Sequence, residues 1–249
     1  MLHTRQRASI GLVVAALMAI TVNASAQQTV NVDVELALLA DASNSIDNAE
    51  IQFQRQGYAR AITHPDVLSA ISKGGYGRIA ITFIEWGDEA NQETVVPWMI
   101  VKDLASAQSF SKRLLAKERL AYGGNAIGAA IAEAQKQIQS NRFEGHRKVI
   151  DFSADSANNW NGIPIAEARK NALEAGTVIN GLAILCRAQN CSGRPVSYDL
   201  EKAFADRIIG GPGSFVITVD NQKTFADAVR RKLILELASH LRPPVSVLR

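Results

Sequence analysis

The chain is 249 residues long, 47% hydrophobic and 20% charged, a composition that fits one large globular domain or two small ones and excludes a disordered, collagenous or coiled-coil chain. Its formal charge is +3, and without Arg5 and Arg7 of the first 26 residues it is +1. So even a balance lacks the basic face that nucleic acid requires.

Residues 1–26 read as an export signal. Arg5 and Arg7 precede an apolar run over 10–22, and Ala24-Ser25-Ala26 supplies a small-x-small cleavage site. As a helix that run rises about 20 Å, short of the roughly 30 Å hydrocarbon core of a bilayer. No cysteine follows the small residues, and Arg5-Gln6-Arg7 is not a twin-arginine pair. The expectation is cleavage near Ala26, folding in the periplasm or outside the cell, and a mature domain over 27–249 with no membrane span.

Along that domain, short apolar runs alternate with helical patterns. Val30, Val32, Val34 and Leu36 alternate, and 36–40 is continuously apolar, as in a strand buried on both faces. A helix is expected over 47–62. The β-rich runs 79–86 and 94–101, separated by the polar stretch 87–93, predict a hairpin with an antiparallel edge strand. Helices over 104–115 and 126–139 lead to a strand at 148–153, followed by helix 165–175, strand 177–185, helix 200–208 and strand 214–219. The last helix, 224–241, sets Phe225, Val229, Leu233, Leu237 and Leu241 four apart on one stripe, and Pro243-Pro244 ends it. Strands alternating with helices, with no linker or repeat, predict one α/β domain: a doubly wound, mostly parallel sheet with one antiparallel edge and helices on both faces.

Cys186 and Cys191 are the only cysteines. Outside the cytoplasm so close a pair can form a loop-pinning disulfide, contributing roughly 2 to 3 kcal/mol at most. A zinc site would need two further ligands nearby, and buried free thiols are the remaining reading.

In a doubly wound sheet, ligands bind beyond the carboxyl ends of strands where the strand order reverses. The loop after the first strand reads Asp41-Ala42-Ser43-Asn44-Ser45, a strand-end carboxylate followed by hydroxyls at two-residue intervals. Three hard oxygens on one side of an extended turn suit magnesium, manganese or calcium. Asp and Ser are also ordinary turn and cap residues, so the spacing alone is weak. A second apolar run, 148–155, ends in Asp155, and Gly123-Gly124-Asn125-Ala126-Ile127-Gly128 is a glycine-rich turn that opens a helix.

Together these segments resemble the von Willebrand factor type A domain with its metal-ion-dependent adhesion site (MIDAS). More closely, the chain resembles an uncharacterised family of bacterial secreted proteins with that fold, through 34–45, 54–59, 84–86, 123–128, 149–159 and 209–216. The resemblance implies Asp41, Ser43 and Ser45 as first-loop metal ligands, Asn125 at the position usually held by threonine, and Asp155 as the distal acid. Asn125 brings an amide carbonyl where the pattern has a hydroxyl, and Ser156 follows Asp155 where glycine is usual. With so few anionic ligands, a bound Mg2+, or Ca2+ or Mn2+, keeps enough charge to take up an Asp or Glu from a partner protein. Trp160, beside Asn159, is a candidate partner contact on the rim, with packing of its own loop as the other reading.

Other patterns carry less. The four histidines show no shared ligand or base spacing, and Ser109-Phe110-Ser111-Lys112 lies on an amphipathic helix. There is no nucleophile elbow, P-loop or dinucleotide fingerprint. The expected function is therefore binding without catalysis, with a metal-dependent phosphohydrolase and a metal-free scaffold as alternatives.

Overall fold

The computed structural model describes residues 28–185, 196–220 and 222–238. The export signal, the Cys186–Cys191 pair and residues 239–241 of the last helix lie outside the described residues. Among the described residues the strands are β1 (Val30–Asp41), β2 (Ile79–Trp86), β3 (Gln92–Val101), β4 (Phe143–Ala154), β5 (Thr177–Ile184) and β6 (Val216–Val219), ordered β3-β2-β1-β4-β5-β6. All neighbours are parallel except β2 and β3, so the expected doubly wound sheet with one antiparallel edge is the architecture observed.

Among the described residues, seven helices cover the two faces: α1 (Asn48–Ile62), α2 (Pro65–Ser72), α3 (Leu104–Leu115), α4 (Ile127–Ser140), α5 (Ile165–Glu174), α6 (Leu200–Arg207) and α7 (Gln222–Ala238). Side chains of a strand alternate between faces, and β1 splits the core accordingly. Leu36, Leu38 and Ala40 pack with α1, α2, α3 and α7, while Ala37 and Leu39 pack with α4, α5 and α6. Each fully buried Leu, Ile or Phe side chain in these layers contributes about 1.5–3 kcal/mol. The α7 stripe Phe225, Val229, Leu233 and Leu237 is buried, and Gly57 of α1 leaves room for the Phe225 ring, whose Cδ1 would be 2.4 Å from a Cβ there.

Two elements differ from the sequence expectation. Helix α2 was not anticipated, because His64-Pro65 reads as a break. His64 is instead its N-cap, with Nδ1 accepting from Asp66 N at 3.2 Å, and Pro65 takes a first-turn position that needs no N–H donor. Strand β4 begins at Phe143, five residues before the apolar run, because Phe143 to Arg147 pair in parallel with Val30 to Val34. His146 therefore lies in β4, its ring stacked on Tyr76 with centroids 5.1 Å apart.

Asp33 and Glu35 of β1 are also buried. Asp33 accepts from Tyr76 N and Arg78 N, and Glu35 accepts from Asn141 Nδ2 at 2.7 Å and Gly145 N at 2.8 Å. These acids tie the loops at the amino end of the sheet. The carboxyl end is left for Asp41, which closes β1 opposite Trp86 of β2.

Candidate metal centre

Strand order reverses at β1, whose neighbours β2 and β4 leave in opposite directions, so the turns after β1 and β4 emerge side by side. Asp41 is fully buried. Its Oδ1 accepts from Ser43 N at 2.8 Å, which bends the chain so that Ser43 Oγ lies 3.1 Å from Ser45 Oγ. Ser45 Oγ in turn donates to Asp155 Oδ1 at 3.4 Å, across 110 residues of sequence. The first loop and the distal acid thus meet.

The glycine-rich turn is stitched to the same loop. Asn44 N donates to Gly123 O at 2.9 Å, and Gly123 N donates back to Asn44 Oδ1 at 3.0 Å. Gly123 has φ +105°, and a Cβ there would sit 2.5 Å from Asp88 Cβ, so only glycine closes this turn. Asn125 Nδ2 donates to Ser156 Oγ at 2.5 Å. The two departures from the MIDAS pattern therefore contact each other, and the bond commits the amide nitrogen of Asn125.

Arg119 and Tyr198 went unrecognised in the sequence, whereas Arg55 and Glu85 lie in segments that carry the resemblance. Arg119 donates to the carbonyls of Ala42, Ser43 (3.0 Å), Ile46 (2.7 Å) and Ala121 (2.9 Å), with its guanidinium 4.4 Å from the Tyr122 ring centroid. It fixes the backbone of the Asp41 loop. Arg55 and Glu85, both buried, form a two-pronged pair at 2.7 and 2.8 Å, and Arg55 also reaches the carbonyls of Lys117 and Glu118. Glu85, a charged residue inside the β-rich run 79–86, was the available signal for that pair. Tyr198 OH accepts from Ala157 N at 2.9 Å and holds the turn after Asp155.

The rim residues divide in use. Asn159 accepts from Gly128 N at 3.0 Å and donates to the carbonyls of Asn161 and Ile163, so its amide builds the loop. Trp160 N donates to Asn125 O at 2.7 Å, yet its side chain is 75% exposed. Ser45, Asn125, Asp155, Ser156, Trp160 and Tyr198 help line a cleft of about 580 Å³.

Electrostatics single out the two acids. Burial, then the charge of Asp155, pushes the Asp41 carboxyl up to about 8, against the bonds from Ser43. Burial also raises Asp155, opposed by the Ser45 hydroxyl. Asp41 Oδ2 is buried with no hydrogen-bond partner, a state that costs about 1–3 kcal/mol or more unless a cation or proton satisfies it. Among the described residues no group of three His, Cys, Asp or Glu forms a metal cluster. Two carboxylates, two hydroxyls and an amide oxygen form instead a hard, weakly anionic donor set that fits Mg2+, Mn2+ or Ca2+.

Over residues 31–241 the chain matches the model of the family described as Protein of unknown function (DUF1194). No curated protein sequence matches it. Solved structures with the same fold include the vWF domain of the type V pili tip protein Mfa5 from Porphyromonas gingivalis, at 10% identity over 88% of this chain and 99% of that one, with TM-score 0.55. A von Willebrand factor type A protein from Catenulispora acidiphila matches at 17% identity, 82% and 42% coverage and TM-score 0.55. Proximal thread matrix protein 1 from the mussel byssus, with a zinc-occupied MIDAS motif, matches at 15% identity, 85% and 49% coverage and TM-score 0.53. The chain spans about half the length of the mussel protein, and at such identities the likeness is one of fold. The chain belongs to the DUF1194 family, and its fold is that of a von Willebrand factor type A domain.

Proposed function

We propose that this domain is a periplasmic or secreted protein-binding module that engages an acidic side chain of its partner through a divalent cation held by Asp41, Ser43, Ser45, Asn125 and Asp155. The observation that carries this reading is the buried, unpartnered Asp41 Oδ2 in a turn hydrogen-bonded through Ser43 and Ser45 to Asp155. A bound cation supplies the positive charge that draws in a carboxylate. Asp41 provides the negative charge nearest the strand end, the serine hydroxyls and the Asn125 carbonyl add neutral oxygens, and Asp155 balances charge from the second turn. Arg119 keeps the first loop in place through its carbonyls, so the donors need little rearrangement. The zinc-occupied MIDAS of the mussel protein and the pilus proteins among the similar structures agree with a binding role.

Phosphoryl transfer would need a cationic clamp on the phosphate. Arg119, the cation bonded to the Asp41 loop, is committed to backbone carbonyls and does not serve as that clamp. We also propose that the domain is released by cleavage after Ala26, and N-terminal sequencing of the exported protein should begin at Gln27. Calorimetry with Mg2+, Mn2+ and Ca2+ tests the metal reading. Saturable binding by the wild type that disappears in Asp41→Ala supports it, and no binding, or equal binding by the variant, refutes it.

A further inference from the structure

Beside the cleft lined by Ser45, Asn125 and Asp155 lies a second one, of about 850 Å³, which shares Asn158 and Trp160 with it. Pro164 and Ile165 give it an apolar wall, and Arg169 and Arg207 line it. Arg169 Nε donates to Ile209 O at 2.7 Å, which anchors the guanidinium at the start of its fork. Arg207, at the last turn of α6, is exposed. Among the described residues neither arginine has a carboxylate within ion-pair distance, and the acid lining this cleft, Asp206, is paired with Lys202 at 2.7 Å. The second cleft is therefore cationic, and its positive charge is left for a ligand. The ring of Trp160 stands exposed between the two clefts, where a passing chain can lie against it.

We propose that the partner is recognised at two acidic points on one extended segment: one carboxylate at the Asp41 cation, the chain crossing Trp160, and a second carboxylate at Arg169 and Arg207. This rests on the metal-dependent binding proposed above and adds to it the chemistry of the partner. A planar guanidinium suits a carboxylate because it can offer two parallel N–H donors. Both ends of the track then select negative charge, and a segment with one acid would leave the arginine cleft unfilled.

The test uses fluorescein-labelled, glycine- and serine-spaced peptides carrying two glutamates two to six residues apart, with matched peptides in which one or both are glutamine. Polarisation is read in Mg2+ and in chelator. The expected result is that the best two-glutamate peptide binds wild type in Mg2+ about tenfold tighter than its one-glutamate match. Arg169→Gln/Arg207→Gln should erase that advantage while leaving the one-glutamate peptide unchanged. Arg207→Gln alone, at an exposed position in the last turn of α6, should erase part of it, which keeps the test sound if Arg169→Gln disturbs folding. Equal binding of one- and two-glutamate peptides, an advantage that survives the arginine changes, or no binding by any peptide overturns the two-point proposal. The metal arm is read in the Arg169→Gln/Arg207→Gln background, where the arginine cleft cannot hold a carboxylate: one-glutamate binding that persists there in chelator or with Asp41→Ala overturns the metal-dependent reading itself.

Discussion

Metal binding at this site should be linked to one proton. With its carboxyl raised to about 8 by burial and by Asp155, Asp41 is mostly protonated at pH 7 in the metal-free protein, and a cation must displace that proton. About 0.9 proton should be released per ion at pH 7. Apparent affinity should then rise about ninefold from pH 6 to 7, about fivefold from pH 7 to 8, and less than about twofold above pH 8. The stability of the metal-free protein runs the opposite way. Because the folded value lies above the ordinary 3.8, the Asp41 contribution is fully present below pH 3.8 and is lost as pH rises through 8, on the order of 5 kcal/mol across that window. Asp41→Asn, which cannot ionise, should therefore melt higher than metal-free wild type at pH 8 while binding no metal. Calorimetry in buffers of different ionisation enthalpy measures the proton count directly. Affinity that is flat between pH 6 and 8, with no heat dependence on the buffer, would refute the reasoning.

Three further perturbations probe the framework. Lys232, fully buried on α7, lies 2.7 Å from Asp151 of β4 and 2.6 Å from Glu236, whose carboxyl burial and Asp151 push up to about 7. Lys232→Met should lower the unfolding free energy by about 3–5 kcal/mol in urea titration, and a loss under about 1 kcal/mol would show that α7 is not held by this cluster. Gly128→Ala would place a Cβ 2.0 Å from Ile163 O, so α4 or the Trp160 loop must shift; the expected cost is about 2–3 kcal/mol together with weaker metal binding, and a variant as stable as wild type contradicts that packing. Asn125→Thr and Ser156→Gly should be non-additive, since each removes the other's partner, with a coupling above about 0.5 kcal/mol in a double-mutant cycle of metal affinity. Strict additivity would mean the bond is without effect.

The fold was legible wherever burial on both faces produced a mostly apolar, β-rich run. The segments at 36–40, 79–86 and 177–185 gave away β1, β2 and β5, and a four-residue stripe gave away α7. Helix α2 was hidden because His64-Pro65 signals a break as readily as a cap. The first half of β4 was hidden because Glu144 and His146 interrupt its hydrophobicity, and pairing with β1 decides its conformation. In the candidate centre, Asp41, Ser43 and Ser45 could be read together since they follow one another in sequence. Arg119 acts through carbonyls of other residues and so leaves no side-chain pattern to read. Asn125 and Ser156 were visible as separate departures, but their mutual bond depends on the turns meeting in space.

The central claim is that three turns enclose a divalent cation and leave one of its faces open to an acidic ligand. A crystal grown with Mn2+ and measured near the manganese absorption edge tests it most directly. The account predicts one strong anomalous peak within coordination distance of Asp41 and the Ser43 and Ser45 hydroxyls, with water or a foreign carboxylate on its outer side. An Mn2+ soak that leaves this cluster without a peak, or a peak fully enclosed by protein ligands, would contradict it.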